Sequence, residues 1–352
     1  MDAHAYEFLK RLLEAPSPAG HEKPVQDIVR NYVSDFADKV TTDVHRNVIA
    51  VRNAGAPLRL MLAGHCDQIG FLVQYIDAEG YVWLQPVGGW DPQVLIGQRM
   101  TVWTPAGKVF GAVARKPIHL LTDEERNRVP KLKDLWLDIG AKDRDDAAKL
   151  VKIGDPVTLE LRFAELPNQL ACSPAMDDKA GLWVAIEALR RTAGKKLNCA
   201  IYAVSTVQEE IGLRGAMTSA YSIEPHVGIA VDVTHATDCP TIEKKQEGDI
   251  ALGKGPVIYR GPNMNVRVVE RLIEAATAAE ISYQLAACGR ATPTDANTMQ
   301  TSRGGVATGL VSIPNRYMHT PVEMISLDDI DRAADLLVKF AESLTGNESF
   351  LP

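Results

Sequence analysis

Hydrophobic and polar positions follow different periods in different parts of the chain, and the change of period divides it. Near the N-terminal end, apolar side chains recur at helical spacing from Phe8 to Leu13 and again from Val25 to Val33. The stretch "APSPAG" ends the first of these predicted helices, and Pro24 suits the first turn of the second. Two apolar runs, "NVIAVR" and "LRLMLAG", come next and are typical of buried strands. The chain therefore begins with helices followed by strands.

The middle of the chain, from about Phe71 to Leu161, consists mainly of short strand candidates separated by turns. It contains the strand candidates "GFLVQYI", "YVWLQPV", "RMTVWT", "KVFGAVA", "LWLDIG" and "DPVTLEL". Turn-forming stretches such as "DAEG", "VGGWDPQ" and "TPAGK" separate them. Only one helical interval, around Asp143 to Val151, is predicted here, and "LTDEERNRVPKLKD" is interpreted as a solvated loop, with a role in subunit contacts left open. This block predicts a compact β-barrel-like module.

After Pro167, helices and strands alternate. The predicted helices cover 179–191, a short segment after Gly212, 265–280 and 327–344, and the predicted strands are "NCAIYAVSTV", "VGIAVDV", "YQLAAC" and "VATGLVSI". Such alternation indicates an α/β sheet covered by helices on both faces. Because the N-terminal segment has the same character, we predict one α/β domain formed by residues 1–68 and 168–352, interrupted by an inserted β-rich domain at 69–167.

Composition excludes several classes of protein. The net charge of −7, with no basic block, gives no sign of a nucleic-acid or anionic-membrane partner. The five cysteines are scattered without CxxC spacing, which favours reduced thiols over a disulfide framework or a four-cysteine zinc site. Charged residues interrupt the N-terminal stretch, and no apolar run approaches the ~20 residues that a membrane helix needs. We therefore expect a cytoplasmic protein.

Histidine and carboxylate side chains follow the ends of four predicted strands. These residues are His65 and Asp67 after "LRLMLAG", Glu209 and Glu210 after "AIYAVSTVQ", Asp232 at the end of "VGIAVD", and His319 after "TGLVSIPNRYM". In open α/β sheets the ligand crevice lies beyond the carboxyl ends of the strands. A further pair, Asp177 and Asp178, comes just before a helix, where backbone amides favour negative charge. The sequence therefore predicts one acidic, histidine-containing site at this edge.

Concentrated carboxylates need a cation. A lysine could neutralise one of them, but two histidines with several acids are typical of a divalent transition-metal site of the zinc kind. The number of candidate ligands exceeds what one tetrahedral ion uses, and a carboxylate can bridge two ions ~3.5–4 Å apart, as in two-metal hydrolases. One of the adjacent glutamates can then bind metal while the other stays free as a base.

Taken together, these motifs resemble the M42 family of metallo-aminopeptidases, the TET-type and glutamyl aminopeptidase-like members of the co-catalytic zinc exopeptidases. The resemblance is carried, in the family's order, by "GHCDQIG", "KPIHLL", "DLWLDIGA", "AMDDKAG", "QEEIGLRGA", "AVDVTHA" and "IPNRYMHTPVE". Each motif is weak alone, but the set is specific and spans nearly the whole chain. It implies a zinc exopeptidase-like α/β fold, short peptides as substrates, and an inserted β domain that drives assembly from dimers to a tetrahedral dodecamer.

The resemblance also implies a role for each site residue. His65 and Asp232 would hold one ion, Glu210 and His319 the other, and Asp177 would bridge the two. Zinc is the expected metal, with cobalt or manganese as alternatives.

Two further residues would serve the reaction without binding metal. Glu209 would be the general base for a hydroxide held between the ions, and Asp67 would hydrogen-bond the His65 imidazole. Asp295 and Arg316 are candidates for the substrate pocket, whereas Asp178 and Lys179 are interpreted as helix-start residues.

Three other functions stay open at this point. A deacylase or dipeptidase could use the same metal site with a different pocket. An endoglucanase would use paired acids without metal, but adjacent Glu209 and Glu210 fit poorly the ~5–5.5 Å separation across a sugar that retaining glycosidases need. A non-catalytic assembly protein would not need a complete set of ligands and a base.

Overall fold

The computed structural model describes residues 1–351, which form a large mixed sheet with its helices and a closed barrel. The helices are α1 (Ala3–Glu14), α2 (Lys23–Val33), α3 (Asp123–Asn127), α4 (Arg144–Leu150), α5 (Met176–Arg191), α6 (Arg214–Ile223), α7 (Lys244–Glu247), α8 (Val266–Ala278), α9 (Asp295–Gln300) and α10 (Leu327–Ser343). Short 3-10 turns occur at Pro92–Leu95, Ile118–Leu120 and Leu132–Asp134. Among the described residues, no helix combines the length and the apolar character needed to cross a membrane.

The strands belong to three groups, which are a large mixed sheet, a closed barrel and a small three-stranded sheet. They are β1 (Lys39–Thr42), β2 (Val48–Arg52), β3 (Leu58–His65), β4 (Gly70–Ile76), β5 (Val82–Val87), β6 (Arg99–Thr104), β7 (Gly107–Ala114), β8 (Trp136–Asp138), β9 (Pro156–Leu159), β10 (Ala164–Leu166), β11 (Leu170–Cys172), β12 (Cys199–Thr206), β13 (Val227–His235), β14 (Val257–Arg260), β15 (Gln284–Ala287), β16 (Ala307–Asn315) and β17 (Met324–Ser326). The predicted α/β fold class with an inserted β module is confirmed.

The large sheet has the strand order β1-β2-β12-β3-β13-β16-β14-β15. Its four central strands, β12, β3, β13 and β16, are parallel, whereas β2 and β14 run antiparallel to their central neighbours. The central strands are buried at nearly every position, which requires cover on both faces. Helix α5 packs on this centre and against α10, while α6 and α9 pack against each other. The carboxyl ends of all four central strands therefore lie at one edge.

The barrel closes in the order β4-β5-β8-β7-β6-β9 around an apolar core of its own. The expectation of a single helical interval in this block was wrong, because α3 forms within the segment that we interpreted as a loop. Thr122 and Glu125 form a reciprocal capping box at its start, a local signal that was present in the sequence. The exact division of the chain at residues 68/69 and 167/168 stays a prediction.

A small sheet, β10-β11-β17, joins two segments that are far apart in sequence. Strand β11 precedes the start of α5, and β17 follows Glu323. Their pairing continues into a hydrogen bond from the Ser173 amide to the Glu323 carbonyl, at 3.0 Å. This connection holds the Asp177 turn beside the segment that carries His319.

Candidate active site

The sequence-predicted residues meet at the carboxyl edge of the central strands. His65 is the last residue of β3, Asp232 lies in β13, and Glu209 follows the end of β12 by three residues. His319 lies four residues after β16, and Asp177 lies in the first turn of α5. The parallel arrangement of the four strands is what delivers these separate segments to one place.

The approach of β3 to α5 depends on Gly64. A Cβ atom at this position would lie 2.6 Å from the backbone carbonyl carbon of Gly181 and 2.6 Å from the Leu182 Cα atom, so only glycine lets the strand and helix touch. The contact brings the His65 amide within 3.2 Å of Asp178 Oδ2, to which it donates a hydrogen bond. Strand β3 and the Asp177–Asp178 turn are thereby fixed to each other.

Asp177 lies between the two histidines. Its Oδ1 atom is 3.2 Å from His65 Nε2, and its Oδ2 atom is 3.2 Å from His319 Nε2. Each imidazole also faces a second carboxylate. Asp232 Oδ1 is 3.9 Å from His65 Nε2, and Glu210 Oε2 is 3.7 Å from His319 Nε2. Two imidazole–carboxylate pairs therefore flank one shared carboxylate.

Glu209 lies beside the first of these pairs, with Oε2 3.7 Å from His65 Nε2. Asp67 holds the backbone of both glutamates, because its Oδ1 accepts from the Glu209 amide at 3.0 Å and its Oδ2 from the Glu210 amide at 3.2 Å. His65 Nδ1 lies 3.1 Å from the Asp67 backbone carbonyl oxygen and 3.6 Å from the Asp67 carboxylate, so the carbonyl is the nearer group. The main hydrogen bonds of the Asp67 carboxylate therefore go to the glutamate pair rather than to the imidazole.

Burial dominates the electrostatics of the cluster. It raises the pKa of Glu209 to about 10, an effect that His65 opposes and the carboxylates of Asp232, Asp295 and Asp177 strengthen. Burial likewise raises the pKa values of Glu210 and Asp232 well above their usual range. These carboxyl groups lie in surroundings that strongly disfavour uncompensated negative charge.

The two histidines reverse the effect at Asp177. Burial raises its pKa, but the hydrogen bonds with His319 and His65 outweigh burial and leave the pKa below the ordinary value. Burial lowers the pKa of His65, yet the surrounding carboxylates raise it on balance well above 6.5. Positive charge is favoured at the centre of this site.

The donor set fits divalent metal ions. Ligand atoms of His65, Asp177 and Glu210 lie within 4.8 Å of one another, and so do those of His65, Asp178 and Asp232. Within residues 1–351, no lysine or arginine forms an ion pair with any of these carboxylates. The buried Oε1 atom of Glu210 also has no hydrogen-bond partner. Imidazole and carboxylate oxygen together suit zinc and similar transition metals.

Two carboxylates at this site carry more contacts than the sequence suggested. Asp178 accepts from the Gly181 amide at 3.0 Å, as a helix-start residue does, but its other oxygen binds the His65 amide. Glu323 is buried and accepts from the His319 amide at 2.7 Å and the Asp177 amide at 3.0 Å. Its place in "MHTPVE", four residues after His319, was the only sequence signal for it.

The two candidates for the substrate pocket have hydrogen-bond partners of their own, and Asp295 lies near enough to Glu209 and Asp232 for its charge to raise their pKa values. Asp295 is 1% exposed; its Oδ2 accepts a hydrogen bond from Thr206 at 2.6 Å, and its buried Oδ1 has no partner. Burial raises its pKa to about 6. Arg316 forms a two-pronged ion pair with Asp238, both distances being 2.7 Å. Their roles toward substrate stay predictions.

Comparison with known proteins identifies the family. The family model for M42 glutamyl aminopeptidase matches residues 46–336. A lysyl aminopeptidase from Pyrococcus furiosus is 38% identical over 345 residues, which cover 96% of this chain and 97% of the relative.

Solved structures agree with the sequence comparison. The crystal structure of a TET aminopeptidase from a marine sediment archaeon of the Thaumarchaeota superimposes with a TM-score of 0.93 at 34% identity, covering 97% of this chain and 98% of the other. The TET1 peptidase of Pyrococcus horikoshii, described as assembling into a tetrahedron or a large octahedral shell, gives a TM-score of 0.85 at 29% identity, with 97% of this chain and all of the other covered. The chain is therefore a peptide hydrolase that belongs to the M42 family of aminopeptidases.

Proposed function

We propose that this aminopeptidase removes N-terminal residues from short peptides at a site that holds two divalent metal ions. The observation that carries the proposal is the position of Asp177, which reaches one imidazole with each of its carboxylate oxygens. A carboxylate placed in this way between two ligand pairs suits a bridging ligand in a two-metal hydrolase.

His65 and Asp232 would hold one ion, Glu210 and His319 the other, and Asp177 would contact both. Zinc is the preferred metal because tetrahedral zinc takes imidazole and carboxylate ligands, and cobalt or manganese are alternatives. When bound, such ions lower the pKa of a water molecule toward ~7 and polarise the scissile carbonyl group. The positive charge would also offset the cost of burying these carboxylates, which the upward shifts in the pKa values of Glu210 and Asp232 make evident.

Glu209 would act as the general base. With the ions bound, their positive charge would lower the raised pKa of Glu209, so that its carboxylate could accept a proton from the attacking water and return it to the amine that leaves. The Glu209 main-chain amide donates a hydrogen bond to Asp67, which fixes the backbone at this position. Glu209 is only 9% exposed. Asp67 thus gives the two adjacent glutamates separate positions, one beside His65 and one beside His319.

The family relationship supports a substrate with a free α-amine. The chain matches the M42 glutamyl aminopeptidase model, and its relative from Pyrococcus furiosus is a lysyl aminopeptidase. This relationship favours an aminopeptidase over a deacylase that works on the same metal scaffold.

We further propose that the chain assembles with copies of itself. The barrel region exposes large apolar side chains, among them Phe110 at 68%, Ile118 at 64% and Leu120 at 65%. Exposed apolar groups concentrated in one region are typical of interfaces. The Pyrococcus horikoshii relative assembles into a tetrahedron or a large octahedral shell, and a PhTET1 structure is described as a dodecamer. We therefore propose a dodecamer built from dimers as the leading arrangement.

A substrate panel with and without metal tests the catalytic proposal. The protein would be treated with EDTA, dialysed, reloaded with Zn²⁺, Co²⁺ or Mn²⁺, and assayed on amino-acid p-nitroanilides, N-acetylated amino acids and a β-glucan. We expect hydrolysis of free-amine anilides that EDTA abolishes and metal restores. Preferential hydrolysis of N-acetylated substrates would make the protein a deacylase, and glucan cleavage that survives EDTA would make it a glycosidase.

A further inference from the structure

His319 is held less firmly by packing than His65. The His65 side chain is 2% exposed, whereas the His319 side chain is 35% exposed. His319 also has a left-handed backbone conformation, with φ at 60°, which a non-glycine residue adopts at some cost in energy. Its main chain is held by Glu323, but this contact does not set the rotation of the ring. The orientation of the imidazole therefore depends on the groups that bind its nitrogens.

One of those groups comes from the barrel. His319 Nδ1 lies 3.0 Å from the backbone carbonyl oxygen of Gly89, in the segment that follows strand β5. An Nδ1–H group that donates to this carbonyl leaves Nε2 as the free nitrogen, and Nε2 is the atom that faces Asp177. Hydrogen bonds of this kind fix the tautomer and the orientation of metal-binding histidines.

The same segment also approaches the carboxylate beside His319. A Cβ atom on Gly88 would lie 3.3 Å from Glu210 Oε2 and only 2.5 Å from Ile69 Cγ2. The φ angle of Gly88 is +77°, which adds a second reason for glycine at this position. The backbone of the barrel thus reaches both members of the His319–Glu210 pair.

Trp90 anchors this segment to the barrel. Its indole N–H donates to the Gly70 carbonyl at 3.0 Å, and its ring stacks on Phe71 with a centroid distance of 4.8 Å. Phe71 is fully buried in the core of the barrel. Movement of the Trp90 ring would therefore shift the carbonyl of the preceding residue, Gly89.

We propose that the Gly88–Trp90 loop is a positioning element for His319, so that the barrel sets the geometry of one half of the active site in its own chain. This inference rests on the proposed two-metal site, and it adds a part of the barrel to the residues that build it. The loop acts through His319 and does not itself bind metal. Loss of its anchor should weaken the binding of the ion at His319 and Glu210 while leaving the binding of the ion at His65 and Asp232 unchanged.

Calorimetric titration of the protein with Zn²⁺, after EDTA has removed its metal and has itself been dialysed away, tests the inference. We expect wild-type protein to bind two ions per chain. Trp90→Ala should bind one ion as tightly as wild type and the second about tenfold to a hundredfold more weakly. This is the loss of affinity that is typical when a hydrogen-bond partner of a metal ligand is removed. Trp90→Phe keeps an aromatic ring over Phe71 and should restore most of the affinity.

Trp103→Ala is the matched control in the same barrel. Its indole donates to Thr158 Oγ1 at 2.9 Å and not to Gly70, the partner of Trp90, so both ions should bind as in wild type. The inference is overturned if Trp90→Ala binds both ions with wild-type affinity, or if Trp103→Ala weakens the second ion equally. Wild-type protein that fails to bind two ions would instead overturn the proposed function and the inference with it. Trp90→Leu replaces Trp90→Ala if the latter does not fold.

Discussion

Glu209 and Glu210 show how neighbouring like charges are kept at the end of a buried strand. Each carboxylate faces a different imidazole, at 3.7 Å in both cases, and Asp67 accepts hydrogen bonds from both backbone amides. The two side chains are therefore adjacent in sequence but have separate partners. This separation would allow one to bind metal and the other to accept a proton, as we propose.

Replacing Glu209 with glutamine tests this division of roles. The amide has nearly the same shape but accepts no proton, so kcat should fall by about 10²–10⁴-fold while metal content stays near that of wild type. Metal analysis by mass spectrometry, together with steady-state kinetics on the best anilide, measures both quantities. Glu274→Gln, at an exposed position on α8, should leave both unchanged.

Asp177→Ala gives the contrasting result. It removes the carboxylate that reaches both histidines, so both metal content and activity should be lost. If Asp177→Ala retained two ions, or if Glu209→Gln lost them, the assigned roles would have to be exchanged or abandoned.

At the scale of elements, the site depends on how closely β3 approaches α5. Gly64→Ala would place a methyl group against the backbone of Gly181 and Leu182, which cannot move aside as a side chain could. Overpacking of this kind typically costs about 1–3 kcal/mol, and it should also move His65 away from Asp177.

We therefore expect Gly64→Ala to lower both the free energy of unfolding and the affinity for metal. Urea unfolding and zinc calorimetry measure the two effects. Gly55→Ala is the control, because a Cβ atom there meets no other atom within 4 Å. Wild-type metal affinity in Gly64→Ala would show that the contact does not position His65.

Much of the fold was predictable because the apolar periods were strong and local. The predicted strand "VGIAVDV" lies within β13, and the predicted helix at 327–344 corresponds to α10 (Leu327–Ser343). The predicted helix at 179–191 corresponds to α5, although α5 begins at Met176 with non-helical geometry at Asp177 and Asp178.

The finer contacts of the site were not predictable from the same patterns. The hydrogen bonds that Asp67 accepts from the Glu209 and Glu210 amides cross more than 140 residues of sequence. The contact of Gly89 with His319 crosses 230 residues. Such contacts depend on how the barrel and the sheet pack together. The spacing of apolar residues along the chain predicts helices and strands but not that packing.

At the scale of the whole molecule, the barrel region both contacts the active site and exposes apolar side chains. The Gly88–Trp90 loop contacts the active site, while Phe110, Ile118 and Leu120 expose apolar groups to solvent. If the exposed side chains form the interface, light scattering on the purified protein should give a mass twelve times that of one chain, or a smaller even multiple of it.

Phe110→Ser should shift this assembly toward smaller species. Met217→Ser removes a side chain that is 56% exposed on α6, outside the barrel, and should not change the mass. A protein that runs as a monomer at all concentrations would contradict the assembly proposal but would leave the catalytic proposal intact.

The central claim is that two metal ions share Asp177 while Glu209 stays unbound. Anomalous diffraction from zinc-loaded crystals, recorded on either side of the zinc absorption edge, locates the ions directly. Two peaks are predicted, one contacted by His65 and Asp232 and the other by Glu210 and His319, with Asp177 touching both and Glu209 neither. A single peak, or a zinc ion coordinated by Glu209, would contradict the account.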